Sequence, residues 1–324
     1  MKPNYFDGIS IIIPSYNREK QLCRLLDSIF KEDISDIYEI VVVDNSSDYD
    51  IYEILSKYSS QKFRVVRNSF NIKMATNMVN TFLHCKTKWM WLISDDDVIC
   101  ENSIKKISNT LPKNLNAAYL KFSTEGTCSY GIEKNREVEG LEKFIDYYLE
   151  DKNIRRGNLV FVSNGVFNLE ILHPYLGNAF EFSYTYIGFL IPVFFALNSG
   201  SSIVFSNEVI IKYLSPENEN WSFATVGLGL STLSHLPLEL NNNYLKKFLN
   251  ITMAVTFEKL FKYLLFNKVN MPRQTYKRIY LNSYIFYLTP IEKILSKFCY
   301  LLLSYPRIGR VLYPHFLKII NILK

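Results

Sequence analysis

The chain has 324 residues, of which 48% are hydrophobic, 15% aromatic and 21% charged; that composition excludes a disordered polypeptide and suffices for one large α/β domain with an appendage, or for two ordinary domains. Five cysteines (Cys23, Cys85, Cys100, Cys128, Cys299) are odd in number and contain no CxxC pair, which argues against a disulfide framework or a cysteine-based zinc site. Charge is uneven: residues 241–324 hold 14 Lys and Arg against Glu258 and Glu292, a net +12, whereas the first 240 residues hold 23 basic and 29 acidic side chains, a net −6.

In chain order, Met1–Gly8 lacks the basic and apolar regions of a signal peptide. Ile9–Ile13 is a β-branched run ended by Pro14, and Glu39–Val43 is a second ended by Asp44; both predict strands buried on two faces of a parallel sheet. Between them Glu19–Lys31 sets Leu22, Leu25, Leu26, Ile29 and Phe30 on one helical stripe, completing a βαβ unit. A helix over Tyr49–Tyr58, a strand over Phe63–Val66, a helix over Met74–Cys85 and a strand over Trp89–Ile93 follow. The alternation predicts a doubly wound, mostly parallel α/β domain with functional loops at the carboxyl ends of its strands.

Beyond Asn102 the pattern predicts strands at Ala117–Ser123, Leu159–Val162 and Ser202–Ile211, and helices at Leu141–Leu149 and Ile187–Leu197. From Asn241 helix dominates, interrupted at Pro272, Pro290, Pro306 and Pro314. No apolar run approaches the roughly 20 residues of a membrane-spanning helix, so a cytoplasmic location is expected.

Three strand ends are unusually polar. Asp95, Asp96 and Asp97 after Ser94 would repel one another unless a cation sits among them, and a hard divalent ion such as magnesium or manganese suits that oxygen-rich setting. A solvated acidic turn or helix cap is the bland alternative. Pro14-Ser15-Tyr16-Asn17 and Asp44-Asn45-Ser46-Ser47 fall where open α/β sheets bind ligands, although turn chemistry alone also selects such residues.

Together these segments resemble glycosyltransferase family 2 with the GT-A fold. Ile9–Arg18 (ISIIIPSYNR) is similar to the family's opening strand and PxYN turn, Ile40–Ser47 (IVVVDNSS) to its second strand, and Trp89–Ile99 (WMWLISDDDVI) to its DxD strand. Asn71–Asn77 (NIKMATN) lies between them. The resemblance implies that Pro14, Ser15, Tyr16, Asn17 and Asp44 line the nucleotide, with Asn71, Asn77 and Asp95 on the donor and Asp96 on the metal, supported by Asp97. Ser94 stands where an Asp is common, and Lys73 where a glycine is common. The Asn71 to Asn77 spacing with SDDD looks closest to the abequosyltransferase-like branch, which implies a deoxyhexose donor and an O-antigen product.

Such an enzyme inverts the anomeric centre with a carboxylate base. Among Glu170, Glu181, Glu208, Glu217 and Glu219, Glu181 is nearest to the family's spacing, and its neighbours Phe180, Phe182 and Tyr184 lead us to expect a raised pKa. Glu217 and Trp221 fall in a loop expected to act as an acceptor-side lid. The expected layout is a GT-A domain over 1–240, with a nucleotide-sugar half (1–101) and an acceptor half (102–240), followed by a basic, aromatic helical extension over 241–324. That extension predicts an anionic membrane surface as partner rather than nucleic acid, the protein lying on the inner face of the plasma membrane with a lipid-linked saccharide acceptor. A nucleotidyltransferase lacks its glycine-rich phosphate loop here, since Gly8 is the only glycine before Gly126; a non-catalytic nucleotide-sugar-binding scaffold is the remaining alternative.

Overall fold

The run ISIII is buried on both faces within β1 (Phe6–Ser15), Ile11, Ile12 and Ile13 being wholly inaccessible. Burial on both faces requires neighbours on both edges and layers above and below. Accordingly, β1 pairs in parallel with β2 (Ile37–Asp44) on one side and with β4 (Thr87–Leu92) on the other, and β2 pairs in parallel with β3 (Phe63–Arg67). The computed structural model of the chain describes residues 4–58, 62–127, 129–150, 156–214, 229–230, 232–252, 261–262, 265–266 and 290–323.

The full sheet runs β3-β2-β1-β4-β8-β6-β9-β5, with β5 at Val98–Ile99, β6 at Ala117–Gly126, β8 at Gly165–Asn168 and β9 at Ser202–Tyr213; β7 (Arg136–Glu139) pairs off that path with β9. β6 and β9 are parallel, whereas β8 is antiparallel to both β4 and β6. The carboxyl ends of β1, β2, β3 and β4 therefore share one edge of the sheet.

Helix α1 (Glu19–Ile29) buries Leu22, Leu25, Leu26 and Ile29 against Ile11, Ile13, Ile40 and Val42; each such side chain contributes about 1.5–3 kcal/mol. Helix α2 (Ile51–Leu55) starts two residues later than the periodicity predicts because Asp50 caps it, accepting from the Tyr52 and Glu53 amides. Helix α3 spans Met74–Asn80 and tightens into a 3₁₀ turn over Thr81–His84. Helix α4 (Ser103–Thr110) packs on β9 and α5 (Leu141–Glu150) on β7, and α9 (Ile191–Asn198) carries Pro192 in its first turn, where a missing N–H costs nothing.

The strand expected at Leu159–Val162 is not one. Arg156–Val160 forms helix α6, and the strand is β8, after a turn closed by the Gly165 amide on the Val162 carbonyl (3.0 Å). A short apolar run does not distinguish the two by period. Gly165 is required there, because a Cβ would fall 1.8 Å from the Tyr119 hydroxyl.

Two compact units emerge, one of Met1–Asn218 with Leu238–Lys247 and the other of Glu219–Pro237 with Phe248–Lys324. In the second, Pro290 and Pro306 open the helices Pro290–Ser304 and Pro306–Leu323, and Pro314 lies within the latter; Pro272 lies outside the described residues. Phe261 packs against Tyr313 and Phe316. No helix among the described residues is long and apolar enough to cross a membrane.

Candidate active site

In the first unit the register aligns Ser15 with Asp44 and Asp44 with Arg67, so three strand ends present polar side chains in one row. Asp44 is fully buried. Its carboxylate accepts from the Ser47 hydroxyl (2.5 Å) and amide (3.1 Å) and pairs with Arg67 Nε at 3.4 Å.

β4 delivers the acidic triplet beside this row. Ser15 Oγ donates to Asp95 Oδ2 at 2.7 Å across 80 residues of sequence. Arg18, at the N-terminus of α1, leaves the helix cap unmade and instead donates from Nη1 to Asp95 Oδ1 (3.0 Å) and Asp96 Oδ2 (2.7 Å). Burial pushes the Asp95 carboxyl up to about 6, with Arg18 opposing the shift. Asp96 is the more open of the two, its side chain 22% exposed, and takes a second hydrogen bond from Ser94 Oγ at 2.6 Å.

Asp97 points elsewhere. It is buried against Ser163, whose hydroxyl donates to Oδ2 at 2.5 Å and accepts the Ser94 amide at 2.9 Å. Burial pushes the Asp97 carboxyl up to about 8, with the Ser163 hydrogen bond opposing the shift. Ser163 is therefore a prop for the acidic turn that sequence reasoning missed, as is Arg24, which donates to the Asp96 carbonyl at 3.1 Å.

The loops after β1, β2 and β3 are tied together. Asn17, at φ 52°, exchanges two hydrogen bonds with Asp48 and donates its amide to Ser47 Oγ. Asn71 and Asn77 sit in an asparagine network: Asn45 donates to Asn71 Oδ1 (2.9 Å), Asn68 donates to Asn45 Oδ1 (3.0 Å) and Asn77 Oδ1 (2.8 Å), and Asn77 reaches the Val43 carbonyl. These bonds make Asn71 and Asn77 clamps on the loop; Asn45, from the second polar strand end, joins them, as does Asn68, a residue missed from the sequence. Tyr16 is 37% exposed, a ring free to stack, while Pro14 is buried.

Glu181 ends helix α8 (Leu176–Glu181), which packs on α3. Contrary to the aromatic, water-poor setting expected, Glu181 is exposed, as are Phe180 and Tyr184, and only Phe182 is buried. Glu170 is paired with Lys88 at 2.7 Å. Glu217 and Trp221 lie outside the described residues.

Comparison with known proteins agrees with this arrangement. Residues 10–168 match the model of Glycosyl transferase family 2. Abequosyltransferase RfbV of Salmonella typhimurium is 25% identical over 272 residues, 78% of this chain and 79% of that protein. An uncharacterized glycosyltransferase of Haemophilus influenzae is 27% identical over 112 residues, so the match spans only 37% of that relative and 35% of this chain. The crystal structure of Staphylococcus aureus TarS 1–349 superposes with a TM-score of 0.62 at 17% identity, over 93% of this chain and 87% of that one; the same fragment has been solved with UDP-GlcNAc.

The curled, mostly parallel sheet with its polar strand ends is thus the GT-A type of α/β fold. Residues 10–168 thus carry a domain of the glycosyl transferase family 2 type, and the chain is a glycosyltransferase.

Proposed function

We propose that this chain is an inverting, divalent-cation-assisted glycosyltransferase that moves a sugar, of the deoxyhexose class, from a nucleotide-sugar to a lipid-linked saccharide in bacterial surface polysaccharide synthesis, O-antigen or capsule. The observation that carries the reading is the convergence of Ser15, Arg18, Asp95 and Asp96 at the shared carboxyl edge of β1 and β4, next to buried Asp44. Tyr16 supplies a stacking face for the base and Asp44 the polar floor beneath it.

The donor chemistry fits a hard cation that is completed by the substrate. Among the described residues no three His, Cys, Asp or Glu are grouped to hold a metal ion. Asp96, with Asp95 behind it, offers one or two carboxylates, the number magnesium and manganese take when phosphate oxygens and water fill the remaining positions. Asp97, turned to Ser163, braces the turn. When bound, the cation would offset charge developing on the leaving diphosphate. Glu181 is the proposed base, an exposed carboxylate on a helix packed against α3, the helix that follows the donor loop.

RfbV, named an abequosyltransferase and similar over most of both chains, supports the deoxyhexose assignment. The layout proposed is a transferase domain over 1–240, its donor half ending near 101, with the basic helical extension over 241–324 attaching the protein to the inner face of the plasma membrane.

Isothermal titration with UDP, GDP, CDP and dTDP, with and without manganese, tests this. Manganese-dependent binding of one nucleotide, lost in Asp96→Ala, is expected. If folded protein binds none of the four, a scaffold subunit becomes the better reading.

A further inference from the structure

The helix Pro290–Ser304 turns one side inward, with Ser296, Cys299 and Leu302 buried. On the other side Ile291, Ile294, Phe298 and Leu301 are 51%, 69%, 43% and 58% exposed. Their spacing of three, four and three residues stacks them in a single stripe along the helix. The helix Pro306–Leu323 repeats the arrangement: Tyr313 and Phe316 are buried, whereas Ile308 and Val311, three residues apart, are 54% and 70% exposed. Isolated exposed apolar residues need no explanation, but six in two helical stripes do.

The charges in these two helices are mostly basic, Glu292 being the one acidic residue in their sequence. Lys297 borders the first stripe, and Arg307 and Lys318 accompany the second; all three are exposed. From Lys293 to Lys324 the sequence contains six basic residues and no acidic one. A second copy of the chain would bring cations against cations across an apolar seam. An anionic lipid surface receives both the apolar stripe and the flanking charge, the pattern of helices lying in the plane of a membrane interface.

We propose that the exposed faces of Pro290–Ser304 and Pro306–Leu323 are a docking surface for anionic phospholipid, with Ile294, Phe298, Leu301 and Val311 entering the acyl boundary and Lys297, Arg307 and Lys318 pairing with headgroups. The inference deepens the peripheral attachment proposed above by naming the residues that make it.

The test is flotation of the full chain with vesicles of phosphatidylcholine alone, or with about a third phosphatidylglycerol. Wild type is expected to float with the anionic vesicles and not with the neutral ones, and less at high salt. Lys297→Glu with Arg307→Glu, both at exposed positions, should weaken binding by at least about tenfold, since each basic residue near such a surface is worth about fivefold. Ile294→Ser with Leu301→Ser should weaken it comparably. Absence of wild-type flotation, or flotation unaltered in both variants, overturns the proposal. So does a wild-type dimer in sedimentation velocity that Ile294→Ser with Leu301→Ser abolishes while vesicles remain unbound. Nucleotide titration on the same samples separates the two readings: failed flotation with intact nucleotide binding sinks the docking surface and leaves the transferase standing.

Discussion

Arg18 Nη1 lies 2.7 Å from Asp96 Oδ2, and the same nitrogen is 3.0 Å from Asp95 Oδ1. One guanidinium thus serves two adjacent carboxylates, of which Asp95 is nearly inaccessible and Asp96 is part-exposed. Their worth differs accordingly. A double-mutant cycle of Arg18→Gln with Asp95→Asn, read by urea denaturation at pH 7.5, should give a coupling of about 1.5–3 kcal/mol, typical of a buried hydrogen bond to a charged group. The cycle with Asp96→Asn should give about 0.5–1 kcal/mol, since water screens that pair. Equal couplings would contradict the difference in burial.

Asn68 is the hub of the asparagine network that ties the loops after β2 and β3. Its amide nitrogen reaches Asn45 and Asn77, and its oxygen accepts from Asn80 at 3.2 Å. Asn68→Ala removes three side-chain hydrogen bonds and should cost about 2–3 kcal/mol of stability. Tyr16→Ala is the contrasting case: the ring is exposed, so stability should hold while nucleotide affinity falls about tenfold or more, the worth of one stacked base. Chemical denaturation and nucleotide titration on both variants check the pair, and a stability loss in Tyr16→Ala would place that ring in packing.

What the sequence made legible was local. β1, β2 and β4 are contiguous apolar runs ended by Pro14, Asp44 and Ser94, and α1 keeps its stripe, so these elements and the strand-end motifs follow from pattern alone. The strands β5 and β7 have two and four residues, too few to show a period. Arg18, Ser163 and Asn68 earn their places through partners in other strands or loops, up to 78 residues distant, and no local pattern reports that. The setting expected for Glu181 differs for a related reason: aromatic neighbours in sequence imply a dry pocket only if they close over the carboxylate, and Phe180 and Tyr184 are exposed instead.

Lys121 introduces a pH dependence of stability. It is fully buried on β6, donates to the Phe161 carbonyl and lies over the Tyr119 ring, with burial holding its pKa well below the ordinary lysine value. A lysine whose folded pKa lies below its unfolded value near ~10.4 binds fewer protons when folded. Stability therefore rises with pH between those two values, at up to about 1.4 kcal/mol per unit. Wild type should gain about 1–3 kcal/mol on Lys121→Met between pH 7.5 and 9.5 by urea denaturation. Parallel stability profiles would mean that Lys121 stays charged in the fold.

Lys73 carries the clearest local strain in the loop between β3 and α3. Its backbone sits at φ 71°, ψ 158°, a region essentially reserved for glycine. It is held there because its amide donates to Asn71 Oδ1 at 2.8 Å while the next residue starts α3. Asn17 and Ser46 are also at positive φ, so each of the loops after β1, β2 and β3 contains one such residue, but Asn17 is of a type that tolerates the left-handed region and Lys73 is not. The strain costs about 1–3 kcal/mol, and a glycine loses somewhat under 1 kcal/mol more chain entropy on folding. Lys73→Gly should therefore stabilise the protein by about 1 kcal/mol, whereas Lys73→Ala, which keeps the Cβ, should leave stability nearly unchanged. Thermal or urea unfolding of the two variants distinguishes relief of strain from loss of the charged side chain: equal effects in both would show that the ammonium group, and not the backbone, sets the energy at this position.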